Sequence, residues 1–386
     1  MGFTEMTGDS NVYVKKFKID GRDEEIVLGQ YVDDSLILAS SVEAQRWLME
    51  RLGKRFPVNA SSSGDISFEE PGLVLSMNVR YDRERGILQF DQKNAIESLA
   101  EKMGVTALPP RSLPINPDSD LPKLKTAEVD INEYLSIMGS CLHLAQVSRP
   151  DVAFAVSSLS RHSATPGSVH RQAALDLVKY LYSTRQMYVP YVRSPDGEGS
   201  DPQVFGKGGW REDKSIEERL VATVPDTSSS RPTTFVDADH GGDKNTRKST
   251  SGLVIMLNSG PISWLSGLQK LCALSSAESE IIAVVDAAKE SLHVKLLCEE
   301  MGVRPAGKPM RIYEDNTACI HLGHSLRGSN SAKHFQLRLR FLHERIVNNE
   351  IEFSKIDTKC QLADGFTKAL PFPAFVKFRD QMLKEG

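Results

Sequence analysis

No apolar run in the 386-residue chain approaches the roughly 18 residues that a membrane span needs, so a membrane protein is not expected. The opening stretch "MGFTEMTGDSN" has neither a basic segment nor an apolar one, and nothing in it reads as a secretory signal. Cysteine is sparse: Cys141, Cys272, Cys298, Cys319 and Cys360 are scattered, with no CxxC pair. That spacing argues against a disulfide frame or a zinc knuckle and fits reduced intracellular thiols. "CIHLGH" brings Cys319, His321 and His324 close in sequence, but nothing nearby completes four ligands at the usual spacing. An excess of positive charge is missing too. The net charge is −4, which argues against a uniformly basic nucleic-acid binder.

The charge is unevenly divided. Residues 1–232 carry 27 Lys+Arg against 33 Asp+Glu, and residues 233–386 carry 20 against 18. If four of those 18 acids hold metal ions, the remaining C-terminal surface is about +6, enough local charge for phosphate contacts. The length suggests two or three domains. Hydrophobic content of 40% and charged content of 25% are those of a soluble globular protein.

Residues 12–40 read as strands broken by turns: "NVYVKKFKI", the charged turn "DGRDEE", then "IVLGQYV" and "SLILAS" on either side of Asp33 and Asp34. Two adjacent carboxylates repel unless water, a cation or a proton separates them. From the residues alone, a turn-forming pair and a divalent-metal pair both remain open. Residues 42–55 look helical, and "LVLSMNVRY" and "ILQFDQ" suggest a hairpin around "DRERG". "NAIESLAEKMG" is a short amphipathic helix closed by Gly104. Five prolines in "ALPPRSLPINPDSDLPK" interrupt regular structure, and residues 131–189 then look mostly helical. Residues 193–232 ("SPDGEGSDPQ", "GKGG", "PDTSSSRP") have little to bury and read as a linker or insertion, with a domain boundary near 230.

Beyond that boundary the pattern is ordered. "TTFVDAD" is a strand ending in acids. "GLVIMLN", the turn "SGP", "ISWLS" and "KLCALSS" continue as a meander of two more strands. "AESEIIAVVDAAKESLHVKLLCEEMG" is a long helix with apolar residues at 281, 284, 285, 288 and 292. "MRIYED" is a fourth strand, "NTACIHLG" a short helix and "SAKHFQLRLRFLHERIVNNE" another. "IEFSKIDT" is a fifth strand, followed by a helix in "QLADGFTKAL". The order βββαβαβα implies an α/β fold with a mixed five-stranded sheet and flanking helices, as in RNase H-like domains.

Four acids fall at strand ends or helix starts in that order: Asp237, Glu280, Asp315 and Asp364. Two Mg²⁺ ions roughly 4 Å apart, with Mn²⁺ as a substitute, need several hard oxygen ligands from one such crevice. Each acid has a plainer reading. Asp237 competes with Asp239 and Asp243, and Asp364 could be a helix N-terminal acid favoured by the dipole. Glu278, three after Ser275, reads as a capping-box residue. Glu280 lies in line with Ala283, Val284 and Ala287, the face expected on the sheet. Glu314 should point away from the site if "RIYED" alternates as a strand.

The segments "DADHGGDKNTRKSTSGLVIMLNSGPISWLSGLQKLCALSSAESEIIA", "IYEDNTACIHL", "AKHFQLRLRFLHERI" and "QLADGFTKAL" resemble the RNase H domain of copia-type retrotransposon Pol polyproteins. "YVDDSLILAS" is similar to the family's reverse-transcriptase palm hairpin. "YLSIMGSCLHLAQVSRPDVAFAVSSLSRHSATPGSVHRQAALDLVKYL" resembles the segment joining polymerase to RNase H. The resemblance implies a partial palm over 1–108, a helical thumb or connection over 109–192 and an RNase H domain over 233–386. It implies that Asp237, Glu280, Asp315 and Asp364 hold Mg²⁺ for cleavage of the RNA strand of an RNA–DNA hybrid. It makes Asp33 and Asp34 the palm's metal pair, vestigial here because the family's third aspartate and fingers lie well upstream. Polymerase activity is then expected only with other Pol segments supplied in trans. A non-catalytic hybrid-binding or decayed product is the remaining alternative. Lys333, His334, Arg338, Arg340 and Arg345 are candidate phosphate contacts, a solvated helix face being the plainer reading. The expected location is intracellular, in cytoplasm, nucleus or a virus-like particle. The chain departs from the family pattern at His240, where Trp is usual, at Ser76, where Gly is expected, and in the length of 193–232.

Overall fold

A computed structural model of the protein describes residues 1–32, 34–56, 72–193, 231–302, 308–324 and 333–386. The expected linker or insertion therefore lies outside the described residues over 194–230, as does Asp33. Asp20 and Gly21 both take positive φ, at 49° and 82°, and close a two-residue turn between β2 (Val12–Ile19) and β3 (Arg22–Tyr31). With β1 (Thr4–Glu5) and β4 (Asp34–Ala39) they form an antiparallel sheet of order β1-β2-β3-β4. Tyr31 pairs with Asp34, so the β3–β4 hairpin turns where the two apolar runs of the sequence meet. Helix α1 (Val42–Gly53) is N-capped by the Ser41 hydroxyl and packs Ala44 and Leu48 on Ile26.

The run "LVLSMNVRY" is not one strand. It splits into β5 (Gly72–Val74) and β6 (Met77–Asp82), which pair with each other around Leu75 and Ser76. Both turn residues take positive φ, 50° and 65°, the geometry of a tight hairpin turn that favours glycine. This explains why glycine is expected at position 76. Ser76→Gly should therefore stabilise the protein by about 1 kcal/mol, the cost of holding an L-residue in the left-handed region. The check is the denaturant midpoint; a midpoint no higher than wild type would remove strain at this turn from the account.

β6 continues through β7 (Ile87–Asp91) to β8 (Met187–Val192), and β14 (Lys384–Glu385) completes a second antiparallel sheet of order β14-β8-β7-β6-β5. Between β7 and β8 lie the helices α2 (Lys93–Lys102), α3 (Ile131–Val147), α4 (Ala153–Ser160) and α5 (Ser168–Ser183). Gly104, with φ of 65°, follows α2 as the sequence suggested. Arg149, between α3 and α4, is fully buried, yet both its forked N–H donors reach the Asp151 carboxylate at 2.9 and 2.8 Å. Tyr180 donates to the same carboxylate at 2.6 Å. Such a pair is tolerated inside a core because its hydrogen bonds are filled.

The C-terminal sheet has the order β11-β10-β9-β12-β13, from β9 (Thr233–Ala238), β10 (Thr250–Leu257), β11 (Gly260–Leu268), β12 (Met310–Glu314) and β13 (Ile351–Lys355). The first three run antiparallel, and β9, β12 and β13 run parallel. This is the mixed five-stranded sheet expected from the order of elements. Two details differ from expectation. The β10–β11 turn is Asn258–Ser259, one residue earlier than "SGP", and β11 ends at Leu268, so none of "KLCALSS" is strand.

Period-2 alternation sends the strands' side chains to two cores. Val236, Leu253, Ile255, Met310 and Ile312 meet Ile281, Val284 and Val285 of α6 (Ser276–Glu300). Behind α6 lie α7 (Thr317–His324) and α8 (Lys333–Val347), the latter through Phe335, Leu339 and Leu342. Phe235, Val254, Met256 and Tyr313 face the opposite way, into one cluster with Tyr134, Ile137, Leu177 and Tyr180. The same cluster takes Phe366 of α9 (Asp364–Thr367) and Phe375 and Phe378 of α10 (Phe372–Met382). Each fully buried aliphatic side chain contributes about 1.5–3 kcal/mol relative to exposure, so this shared core binds the helices α3–α5 firmly to the sheet. The Trp264 indole N–H donates to the Ala145 carbonyl at 2.7 Å across the same seam. No helix among the described residues is long and apolar enough to cross a membrane. None of the five cysteines forms a disulfide.

Candidate metal centre

Asp237 is the next-to-last residue of β9 and is buried. Glu280 lies in the second turn of α6, on the face that packs against β9. Asp315 immediately follows β12, the strand beside β9. Three elements thus deliver one carboxylate each to the same end of the sheet. One ligand oxygen from each of Asp237, Glu280 and Asp315 lies within 4.8 Å of the other two. Among the described residues this is the one group of three or more such side chains able to share a metal ion, and Cys319, His321 and His324 do not converge.

Local structure sorts the competing acids. Glu278 caps its own helix end: its Oε2 accepts the Leu274 N–H at 2.8 Å, while Ser275 Oγ accepts the Glu278 N–H at 3.2 Å. Asp239 accepts the Thr250 N–H. Asp243 accepts the Asn245 N–H at 2.8 Å and pairs with Arg161 at 3.3 Å. These two hold the loop between β9 and β10 in place. His240 is exposed, and the Thr367 hydroxyl holds the Asp237 carboxylate, donating to Oδ2 at 2.6 Å.

Asp364 opens α9 and is not one of the three. Its Oδ1 accepts the Lys368 ammonium at 2.8 Å, although its charge still reaches Asp237. Glu314 corrects the sequence reading. It was expected to point away, but it is fully buried on the α6 side of β12, where Met310 and Ile312 also face. Its Oε1 accepts the Asn316 N–H at 2.8 Å, and after burial it is the strongest influence on Glu280. Alternation was right, but the side chain's destination depends on where α6 lies.

Burial and mutual repulsion shift Asp237, Glu280 and Glu314 in one direction. Burial, opposed by the Thr367 hydroxyl and reinforced by Asp364, raises the Asp237 carboxyl to about 7. Burial first, then the charges of Glu314, Asp237 and Asp315, push Glu280 up to about 11. Glu314 is raised well above the ordinary carboxyl range, mainly by burial. Burial pulls the Lys368 amine down, but Asp364, Asp237 and Asp315 together hold it above its usual value. Glu280 Oε2 is buried without a hydrogen-bond partner. A carboxylate oxygen left this way costs free energy unless a proton or a metal ion meets it. The donor set, all hard oxygen, fits Mg²⁺ or Mn²⁺.

Glycine at position 252 is a requirement that sequence reading missed. Gly252 pairs with Asp237 across β9–β10. A Cβ there would lie 2.7 Å from Thr367 Cγ2, 2.8 Å from Phe366 Cβ and 2.9 Å from the Ala363 carbonyl. Only a bare backbone lets α9 come this close and bring Thr367 and Lys368 to the acids.

The other expected site residues are placed differently. Asp34 begins β4, exposed, and among the described residues it joins no metal-competent cluster. The side chains of Lys333 and His334 lie outside the described residues. Arg340 is exposed and pairs with Glu344 at 3.1 Å. Arg345 is committed to Glu350 at 2.9 Å and stacks its guanidinium over Phe341. Arg338 is half-buried.

No protein-family model matches the chain. It is 28% identical over 378 residues to the retrovirus-related Pol polyprotein from transposon TNT 1-94 of Nicotiana tabacum, covering 94% of this chain and 24% of that protein. It is 27% identical over 387 residues to the corresponding polyprotein from transposon RE1 of Arabidopsis thaliana, covering 99% and 23%. Over nearly its whole length, then, the chain is similar to retrovirus-related Pol polyproteins of transposons. It spans about a quarter of the length of these Pol relatives. Among solved structures, LC11-RNase H1, isolated from compost by a metagenomic approach, matches 38% of this chain and 97% of its own, at 14% identity and a TM-score of 0.28.

Proposed function

We propose that the chain is a divalent-metal-dependent nuclease that cleaves the RNA strand of RNA–DNA hybrids. The observation that carries this reading is the meeting of Asp237, Glu280 and Asp315, with an unpartnered Glu280 oxygen buried among them. Three carboxylates from three elements, brought together against their own repulsion, make sense when a cation pays the electrostatic debt. Mg²⁺ held there supplies Lewis-acid stabilisation of the phosphodiester's developing charge.

The chain's own residues do the rest. β9 and α6 fix Asp237 and Glu280 on rigid elements, and Thr367 holds one Asp237 oxygen so that the other faces the cluster. Lys355 donates to the Asp315 carbonyl and to Thr317 Oγ1 at 3.0 Å, which anchors the turn that carries Asp315. Water's oxygen bonds to phosphorus and gives up a proton. The P–O3′ bond breaks and the departing oxygen takes a proton, leaving a 5′-phosphate and a 3′-hydroxyl. Among the described residues no side chain beside the cluster is placed as a covalent nucleophile. We read 1–108 as palm-derived, 109–192 as thumb or connection and 233–386 as the nuclease domain; the β3–β4 hairpin supports the first of these.

The test is cleavage of a hybrid labelled on its RNA strand by the purified chain. Mg²⁺ or Mn²⁺ should support internal cleavage of the RNA, and chelation should return it to background. Double-stranded DNA of the same sequence should stay intact. If the hybrid survives with either metal present, the nuclease reading fails.

A further inference from the structure

Arg340 and Arg345 of α8 are paired with acids, whereas five cations near the metal centre have no acidic partner. Asp237 is next to the end of β9 and Ala238 pairs with Ser251, so the β9–β10 loop leaves the sheet at the metal-site end. That loop carries Lys244, Arg247 and Lys248. Its own acids are taken up inside it. Asp239 accepts the Thr250 N–H, and Asp243 Oδ1 closes the turn by accepting the N–H groups of Asn245 at 2.8 Å and Thr246 at 3.3 Å. From beneath, Arg161 at the end of α4 pairs with Asp243 at 3.3 Å and donates to Thr250 Oγ1 at 3.2 Å.

Asn245 fastens a second segment to this loop. Its Oδ1 accepts the Lys123 N–H at 3.0 Å, and its Nδ2 donates to the Leu121 carbonyl at 3.1 Å. The Thr165 hydroxyl holds the same segment from the other side, donating to the Leu124 carbonyl at 3.0 Å. The two-point clamp brings the backbone of Lys123, and with it Lys125, against the β9–β10 loop. Lys123, Lys125, Lys244 and Arg247 are exposed and Lys248 is half-buried; among the described residues none of the five pairs with an acid.

We propose that these five side chains form one phosphate-binding surface for the RNA–DNA hybrid, running from the nuclease sheet onto the segment between α2 and α3, with Asn245 as the joint that aligns its halves. The proposal rests on the nuclease reading for the identity of the duplex. Cations on a backbone already fixed by a turn, a clamp and Arg161 meet a polyanion at little ordering cost. Each phosphate they neutralise releases counterions, so the salt dependence of binding counts the contacts.

The measurement is equilibrium binding of a labelled RNA–DNA hybrid to the full chain, in chelator so that nothing is cut, over a series of KCl concentrations. Lys244→Gln/Arg247→Gln/Lys248→Gln should lower the slope of log affinity against log salt by about 3, and Lys123→Gln/Lys125→Gln by about 2. Asn245→Ala removes no charge, yet should weaken binding about fivefold because the two halves lose their alignment. Added to Lys123→Gln/Lys125→Gln, it should weaken binding no further, since the joint then has nothing to align. Lys289→Gln removes one charge from the exposed face of α6, where Lys289 meets Asp286 at 3.8 Å, and should leave the slope unchanged. Wild-type slopes in the triple and double lysine variants, or an Asn245→Ala effect that adds in full to the double lysine change, would overturn the proposal. A hybrid bound as expected but left uncut in Mg²⁺ would retire the nuclease reading and leave the surface standing. Normal cleavage by variants that bind with the wild-type slope would do the reverse.

Discussion

Glu280→Gln is expected to stop Mg²⁺-dependent cleavage and, in the same molecule, to raise the melting temperature of the metal-free protein. The two effects share one cause. In the folded state the Glu280 carboxyl is raised to about 11, by burial first and then by its acidic neighbours, whereas an unfolded chain ionises it near 4.5. A group raised in this way gives its full stabilisation below the unfolded value and loses it as pH rises towards the folded value. Above about pH 4.5 the metal-free protein therefore loses stability from this group as pH rises. Asp237 adds the same trend between 3.8 and about 7. Glutamine does not titrate, and its amide N–H can meet the unpartnered Glu314 Oε2. At pH 8 in chelator, Glu280→Gln should melt several degrees above wild type, and the gain should shrink towards pH 4.5. Saturating Mg²⁺ should stabilise wild type and leave the variant nearly unmoved. Asp315→Asn should also abolish cleavage while hybrid binding stays nearly intact, because the basic surface is untouched. A Glu280→Gln protein that melts lower than wild type in chelator would show the carboxylate to be a structural anchor.

The second large effect belongs to a residue with no chemistry of its own. Gly252→Ala places a methyl group within 3 Å of Thr367, Phe366 and the Ala363 carbonyl, and the last of these is backbone that cannot swing aside. Overpacking of this kind costs about 1–3 kcal/mol. The helix that yields carries the Thr367 bond to Asp237 and the Asp364–Lys368 pair. A displacement of about 1 Å at reacting groups can cost 100-fold in rate, so hydrolysis should fall by about that factor in a protein that still folds. Single-turnover cleavage and the denaturant midpoint measure the two effects separately. A wild-type rate in a folded Gly252→Ala protein would mean that α9 has no part in the reaction.

Much of this was legible in the sequence. Alternation in "TTFVDAD" and "MRIYED", the capping box at Ser275 and Glu278, and the apolar stripe of α6 are local signals, and each produced its element. Asp237, Glu280 and Asp315 were legible because strand ends and helix starts gather at one end of a sheet. What escaped depends on distant partners. Glu314 was misplaced because its burial is decided by α6, and Lys368 went unnoticed because a lysine in the last helix segment looks like any solvated charge. Asp239 and Asp243 could be separated from Asp237 only by Thr250 and Arg161. The turn at Leu75–Ser76 was hidden inside "LVLSMNVRY", which reads as a single strand.

The pairing of β14 with β8 bears on the order in which the chain can fold. Lys384 and Glu385 bond to Tyr188 and Met187, roughly two hundred residues earlier, and contacts of such long sequence separation form slowly. On the same return, α10 delivers Phe375, Phe378 and Met382 into a core otherwise begun by α2–α5. That core stays open until α10 and β14 have been made, with Tyr180 and Leu177 waiting uncovered. The central helices therefore close late, and the apolar surface they leave open until then favours aggregation. They would be trapped unfinished by any cut between Ile356 and the final strand.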